Sequence, residues 1–524
     1  MREIQVDMFE VQLGSALLLQ FKTDSRKTVR VLADAGVTAG RYQIDHVHKK
    51  LASAFSAFDG KGSSLDLIMG THYDADHLEG LVPIIEDKRI DIAEAWMPPV
   101  ANDTEMHARE EPIQDRFLLG RQLAGEDGEQ VLRAYLRAKA EVCEQLRDLE
   151  LIAGEYQSSN VGREQYRFNE QVMGQVERSI KYFEAHISDA DRTLGQHEHT
   201  HADEDVEPPP QAAEVDLVKV IRDPSYIRLF PFWSDSSRHK FFKHVWSEDH
   251  ARAKAQSRSI AYIRRAAAKD AINATSLDKV IKALKARQIP TAYQFIKDGR
   301  PRRFLWKKDR DRFVPGAYLK SDGPELVLLG PSEGLIKRHW DRLPIGGYLS
   351  KLAYISIPVK SITPSNQLSY VARFKAYDQG LMVCGDAGCV DFKPTRGKYY
   401  KDLIDALLPL HIIQVAHHGG NNAHFYNVLL EADYQAQTDP SLLLLSHAEA
   451  DRFRPSKEFG MFIEQARKEG DDMKLLFTSR PTPDKVKDYQ KIIHPVVGAT
   501  KEVGDIRIQF DGRRWKVLNH AVRI

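Results

Sequence analysis

The stretch LDLIMGTHYDADHLEGLVPII, residues 65–85, decides how this chain is read. An apolar, strand-like run ends at Met69 and Gly70, and His72, Asp74, Asp76 and His77 follow within a few residues. A solvated turn needs one or two polar side chains. Four imidazoles and carboxylates in six positions are instead a set of good metal donors. In an extended loop, residues two apart point the same way, so His72, Asp74 and Asp76 share one side and His77 reaches round to another.

The remainder of the chain supplies matching partners. GLMVCGDAG (380–388) ends an apolar strand with Asp386 between glycines, and IIQVAHHGG (412–420) ends another with His417 and His418. LLLLSHAEADRFRP (442–455) ends a third with Ser446 and His447 and carries Arg454. Donors at the carboxyl ends of several strands are how an α/β sheet assembles a site from distant sequence. His72, Asp74, Asp76, His77, Asp386 and His417 are too many donors for one tetrahedral ion and suit two divalent ions, with Asp386 bridging. His418 is an equal alternative to His417, because sequence does not separate adjacent histidines. The oxygen-rich set suits Mn²⁺, with Zn²⁺ also compatible.

At 524 residues, with 42% hydrophobic and 28% charged content, the chain has the composition of a soluble protein of two or three domains. No apolar run approaches the ~18–20 residues that span a bilayer. The opening MREIQVDMFEVQLG has no basic segment followed by a long apolar one. Cys143, Cys384 and Cys389 form neither a disulfide framework nor a CxxC pair, and Cys384 and Cys389 read as small core residues. The expectation is a cytoplasmic protein without a membrane segment.

Strand texture fills residues 1–100 and returns in 320–524, which ends in a hairpin turning at Asp511-Gly512. Between them, 101–319 reads as a mainly helical insertion. Within it GQHEHTHADEDVEPPPQ, near 195–212, reads as an acidic, proline-rich linker, and its His197–His201 run as linker rather than a metal site. The net charge of +1 hides a strong asymmetry: residues 101–215 hold 25 acidic and 12 basic side chains, and 251–320 hold 19 basic and 5 acidic.

THYDADHLEG resembles the HxHxDH signature of the metallo-β-lactamase fold, with Asp74 where most members carry a second histidine. With MVCGDAG and VAHHGG, this HxDxDH variant is similar to the nuclease domain of the ComEC competence proteins and their soluble relatives. FEVQLGSALLLQF, VLADAG, AEAWMPP, ELVLLGP, SNQLSYVARF and the final hairpin occur in that family's order. The chain departs from the family at Gln12-Leu13-Gly14-Ser15 (usually Gly-Gln-Gly-Asp), at Gly420 (usually Ser) and at Arg454, where a histidine usually precedes the proline. The resemblance implies a four-layer αββα sandwich built from the two ends of the chain, with the insertion projecting beside the mouth of the site. It also implies a metal-dependent nuclease. In that reading Asp76 and Asp386 serve catalysis through the metals, and His418 and His447 are candidate proton donors to the leaving oxygen. Arg454 is a candidate phosphate clamp, and Asn366 and Ser369 only orient ligands.

DNA, single-stranded in the first instance, is the expected partner. A basic track of Arg302, Arg303, Lys307, Lys308, Arg310 and Arg312 is interleaved with Tyr293, Phe295, Phe304, Trp306 and Phe313, as a stacking, phosphate-following groove would be. DNA processing or defence against foreign DNA would suit such an enzyme. The alternatives are a hydrolase of small phosphodiesters or esters, with the insertion as a lid, and a non-catalytic protein that docks a partner through the insertion. Packing of the aromatics against the core is the competing structural account of the basic track.

Overall fold

The LLLQFK and TVRVLA runs set the frame. The computed structural model describes residues 3–99, 273–340, 364–434 and 441–519 with short interruptions, and part of 120–136. The early strands are β1 (Ile4–Met8), β2 (Leu17–Lys22), β3 (Thr28–Ala33), β4 (Ser64–Leu65), β5 (Leu67–Met69), β6 (Asp91–Ile92) and β7 (Ala95–Trp96). Then follow β8 (Thr291–Ala292), β9 (Arg302–Lys307), β10 (Arg312–Pro315), β11 (Glu325–Gly330), β12 (Val371–Ala376) and β13 (Gln379–Val383). The last are β14 (Ile412–Gln414), β15 (Ser441–Leu445), β16 (Met473–Phe477), β17 (Ile506–Phe510) and β18 (Trp515–Asn519). They form two mixed sheets, β18-β17-β1-β2-β3-β5-β7-β8 and β10-β9-β11-β12-β13-β14-β15-β16, plus the short pair β4-β6. The chain is therefore α/β.

Side-chain alternation explains why the sheets stack. In β2, Leu17, Leu19 and Phe21 enter one apolar core while Leu18 enters another, as the two-residue strand period requires. The first core is shared by both sheets. Phe21 stacks on Phe374 of β12 at 6.2 Å between ring centroids, and Trp96 meets Phe304 of β9 at 4.7 Å. Trp306 Nε1 donates to Asp66 Oδ1 at 3.1 Å, and Gln414 Nε2 to Ser15 Oγ at 2.6 Å, so polar bonds also cross between the sheets.

The second core lies on the outer face of the first sheet. There α1 (His46–Asp59) contributes Val47, Leu51 and Phe55, and the helix over 273–286 contributes Leu277, Val280 and Leu284. The short α2 (Ala75–Leu78) and α3 (Leu81–Glu86) add Leu78, Leu81 and Ile84. Helices Ala423–Glu431 and Lys457–Ala466 bury Phe425, Leu429, Phe459 and Ile463 beside the second sheet. Among the described residues no helix is long and apolar enough to cross a membrane.

The expected boundary at residue 319 is corrected by the sheet pairing. β9 pairs with both β10 and β11, and β8 pairs with β7, so residues 291–316 belong to the two sheets and not to a helical insertion. The cause is visible in RRFLWK: Phe304 and Trp306, two apart, are both buried in the shared core. Truncating a buried aromatic of this size costs about 3–5 kcal/mol, enough to fix a strand whatever the charge of its neighbours. The linker near 195–212 and most of 101–272 lie outside the described residues.

Candidate metal centre

Strand direction brings the donors together. β3, β5 and β7 run parallel, as do β13, β14, β15 and β16, so in each sheet these carboxyl ends lie along one edge. The first sheet delivers His72, Asp74, Asp76 and His77 after β5, with Asp74 at the N-cap of α2. The second delivers Asp386 after β13 and His418 from the turn 416–419 after β14.

Asp386 sits between the imidazoles. Its Oδ2 is 3.8 Å from His72 Nε2, and its Oδ1 is 3.4 Å from both His77 Nε2 and His418 Nε2. Asp74 Oδ2 is 3.6 Å from His72 Nε2. Two overlapping donor groups result, His72–His77–Asp386 and Asp76–His77–His418, with the ligand atoms of each within 4.8 Å of one another. The Nε2 atoms of His72, His77 and His418 are buried and have no hydrogen-bond partner. An unsatisfied buried polar atom costs about 1–3 kcal/mol, and three of them together are a large charge against a net stability of about 5–15 kcal/mol. Nitrogen and carboxylate donors converging in this way fit divalent ions well.

No protein-family model matches the chain, and no curated protein matches it. The functional reading therefore rests on the residues themselves.

Asp34, which ends β3, orients two of these histidines and was not singled out from sequence. Its Oδ1 accepts the Thr71 amide at 2.7 Å, and its Oδ2 accepts Thr71 Oγ1 at 2.6 Å and His77 Nδ1 at 2.7 Å. A carboxylate only accepts, so His77 Nδ1 carries a proton and Nε2 faces Asp386. Thr71 Oγ1, having donated to Asp34, accepts from His72 Nδ1 at 3.1 Å and fixes that ring in the same tautomer. The available signal was an acid at the end of a strand in VLADAG. Asp34→Asn should keep an acceptor for the Thr71 amide while losing the charge facing His77. The new amide sets a donor against Thr71 Oγ1 and His77 Nδ1, so we expect a lowered melting temperature and roughly 10–100-fold weaker Mn²⁺ binding by calorimetry.

Two glycines allow the close approach. Gly385 has φ +50°, and a Cβ there would lie 2.6 Å from Thr71 Oγ1, so only glycine lets β13 end against that threonine. Gly14 has φ +104°, and a Cβ would collide with the Asp76 carbonyl oxygen. The 12–15 loop therefore rests on the backbone of a donor. Asn366 Nδ2 lies 3.4 Å from Asp386 Oδ2, and Ser369 Oγ donates to the Asn366 carbonyl at 2.7 Å, which suits the orienting role expected of them. Cys384 is buried, its Sγ 3.0 Å from the Gln414 carbonyl, in keeping with a core role.

Charge is partitioned within the cluster. Burial alone would lower the His77 pKa, but Asp34 and Asp386 outweigh it and hold that imidazole well above its usual range. Burial would raise Asp386, but His418, His77 and His72 hold it well below the usual carboxylate range. Burial pulls His418 down to about 3 despite Asp386, so near neutrality it is a neutral imidazole with an available lone pair.

Several expected roles change. His418, not His417, enters the donor groups of the described residues. The turn sets this: both residues have left-handed backbone, φ 52° and φ 54°, and their ring centroids are 6.4 Å apart. His418 is then a donor and, being neutral, no reservoir for the leaving-group proton. Burial also weighs against His447 as a proton donor. It is wholly buried against Phe477, and burial pulls it down to about 4, so it carries no extra proton at neutral pH. Arg454 stays beside the cluster, and its charge lowers both His418 and His447, but its Nη1 donates to Asp451 Oδ2 at 3.1 Å.

The expected nucleic-acid track is also corrected. Phe304, Trp306 and Phe313 are buried in the shared core, which removes them as stacking faces. Arg302 Nη1 donates to Gln294 Oε1 and the Phe295 carbonyl, and Arg303 Nη2 pairs with Glu325 at 2.5 Å. Lys307 and Lys308 lie at the wrong end. β9 runs antiparallel to β11, which leads through β12 to β13, so the β9–β10 turn is at the edge opposite Asp386. Lys27, in the turn from β2 to β3, pairs there with Asp311. Six residues of strand put this turn about 20 Å from the donor edge.

Proposed function

We propose that this protein is a metal-dependent hydrolase of the metallo-β-lactamase fold, acting on phosphodiesters and, as its likeness to the ComEC nuclease domain suggests, on DNA. The observation that carries the proposal is the buried convergence of His72, Asp74, Asp76, His77, Asp386 and His418 from two facing sheets. Helices outside both sheets and donors at strand ends are further support for the αββα reading.

Two divalent ions, Mn²⁺ or Zn²⁺, would be held by these six side chains and would supply a water of lowered pKa and positive charge for the phosphoryl oxygens. The protein's own contributions follow from the geometry. Asp386 offers one oxygen to His72's side and the other to that of His77 and His418, as a bridging carboxylate must. Asp34 and Thr71 hold the two imidazoles in the tautomer that points Nε2 inward. Arg454 keeps a positive charge near the cluster that favours an anionic substrate.

The buried aromatics favour a second reading, a hydrolase of small phosphodiesters, because they remove the stacking track from the described residues. Incubation with single- and double-stranded DNA, RNA and bis(p-nitrophenyl) phosphate in Mn²⁺, Zn²⁺ and Mg²⁺ separates the two. Metal-dependent cutting of DNA with steep salt dependence is the expected result. Turnover of the small diester alone would shift the assignment to the second reading, and no hydrolysis with any metal would overturn both.

A further inference from the structure

Asp74 occupies the N-cap of α2, where an aspartate ordinarily turns its carboxylate onto the free amides of the first turn. Here it makes no side-chain capping bond. The first amide of the helix, Ala75 N, instead donates to Asn273 Oδ1 at 2.8 Å. Asn273 Nδ2 donates in turn to Asp74 Oδ1 at 2.7 Å. Asn273 is wholly buried, lies 199 residues further along the chain, and belongs to the helix described over 273–286 that packs on the first sheet.

We propose that Asn273 is a positioning residue for the metal centre: it caps α2 in place of Asp74 and holds the Asp74 carboxylate toward His72. One amide side chain does both tasks because it has an acceptor and a donor. The acceptor satisfies a helix amide that would otherwise compete for Asp74. The donor pins Asp74 Oδ1 and leaves Oδ2 on the side of His72 Nε2, 3.6 Å away. A hydrogen-bond partner behind a ligating carboxylate fixes its orientation, and such partners carry a measurable share of metal affinity. The helix over 273–286 thereby contributes to the site through its first described side chain.

The inference rests on the metal-centre reading, so its test measures metal binding itself, by calorimetry with Mn²⁺ and Zn²⁺ on the full chain. Asn273→Asp is the informative variant. It keeps an acceptor for Ala75 N, and aspartate caps as well as asparagine does, but it cannot donate to Asp74 and sets a second carboxylate against it. On either account the melting temperature falls, because two buried carboxylates are set against each other. A residue that only capped α2 would leave metal binding unchanged in the folded variant, whereas a positioning residue gives a roughly 10–100-fold loss of Mn²⁺ affinity. Asn273→Ser, which keeps a short donor and acceptor, should recover part of the loss. Normal binding by Asn273→Asp overturns the inference while leaving the metal centre intact. Failure of the unaltered protein to bind any divalent ion overturns the metal reading, and the inference with it.

Discussion

Asp386→Ala should abolish hydrolysis, by at least about a thousandfold in kcat, or roughly 4 kcal/mol of transition-state stabilisation. The size follows from position. Asp386 faces His72 through one oxygen and both His77 and His418 through the other, so its loss takes the carboxylate from the first donor group and the one that His418 of the second group faces. The unloaded variant should also lose some stability at neutral pH. Asp386 has a depressed pKa in the folded state, so its contribution is present above the usual carboxylate range and is lost only as pH falls through the folded value. The decisive measurement is the thermal shift with metal. An ion at a hundred times its Kd stabilises the unaltered protein by about 2.7 kcal/mol, and the variant should show almost none of that gain. Normal turnover by a folded Asp386→Ala protein would remove the assignment.

The second large effect separates the adjacent histidines. Both have left-handed backbone, so asparagine, which tolerates that conformation, is the substitution that spares the turn. His418→Asn removes the Nε2 that lies 3.4 Å from Asp386 Oδ1 and should weaken metal binding by more than the roughly 10–100-fold expected for a lost supporting partner. His417→Asn should bind within a few-fold of the unaltered protein. Its amide donates toward the Gly385 carbonyl at 3.4 Å and its carbonyl accepts from Gly420 N at 2.7 Å, backbone bonds that the substitution retains. The opposite ranking by calorimetry would restore His417 as the donor.

Much of the site was legible because it lies where apolar strand patterns stop. Met69, Val383 and Gln414 end their strands as the sequence patterns imply, and the polar residues after them meet. The choice between His417 and His418 was not legible, since it depends on two consecutive left-handed φ values that sequence spacing does not encode. The arginines and lysines of β9 mask its strand character in the sequence. The signal was the two-residue period of Phe304 and Trp306, with Leu305 buried on the other face. Asp34 left only the mark of an acid closing a strand. Asn273 left none, because an asparagine inside a helical pattern carries no mark of its own, and its partners are 198 and 199 residues away.

The division of the cluster between two sheets also dictates when, in the life of a newly made chain, it can exist. His72, Asp74, Asp76 and His77 emerge first, and Asp386 follows after about 300 residues, a separation that takes roughly 15–60 s to synthesise. Bringing such distant segments together costs on the order of 5 kcal/mol in loop closure, which only the packing of Phe21 on Phe374 and its neighbours in the shared core can offset. A nascent chain therefore carries half a site with no counterpart until β13 and β14 have been made and have docked. On the proposed reading, metal capture waits for residue 418 to be made and docked, and a hydrolase of this kind stays inert until then.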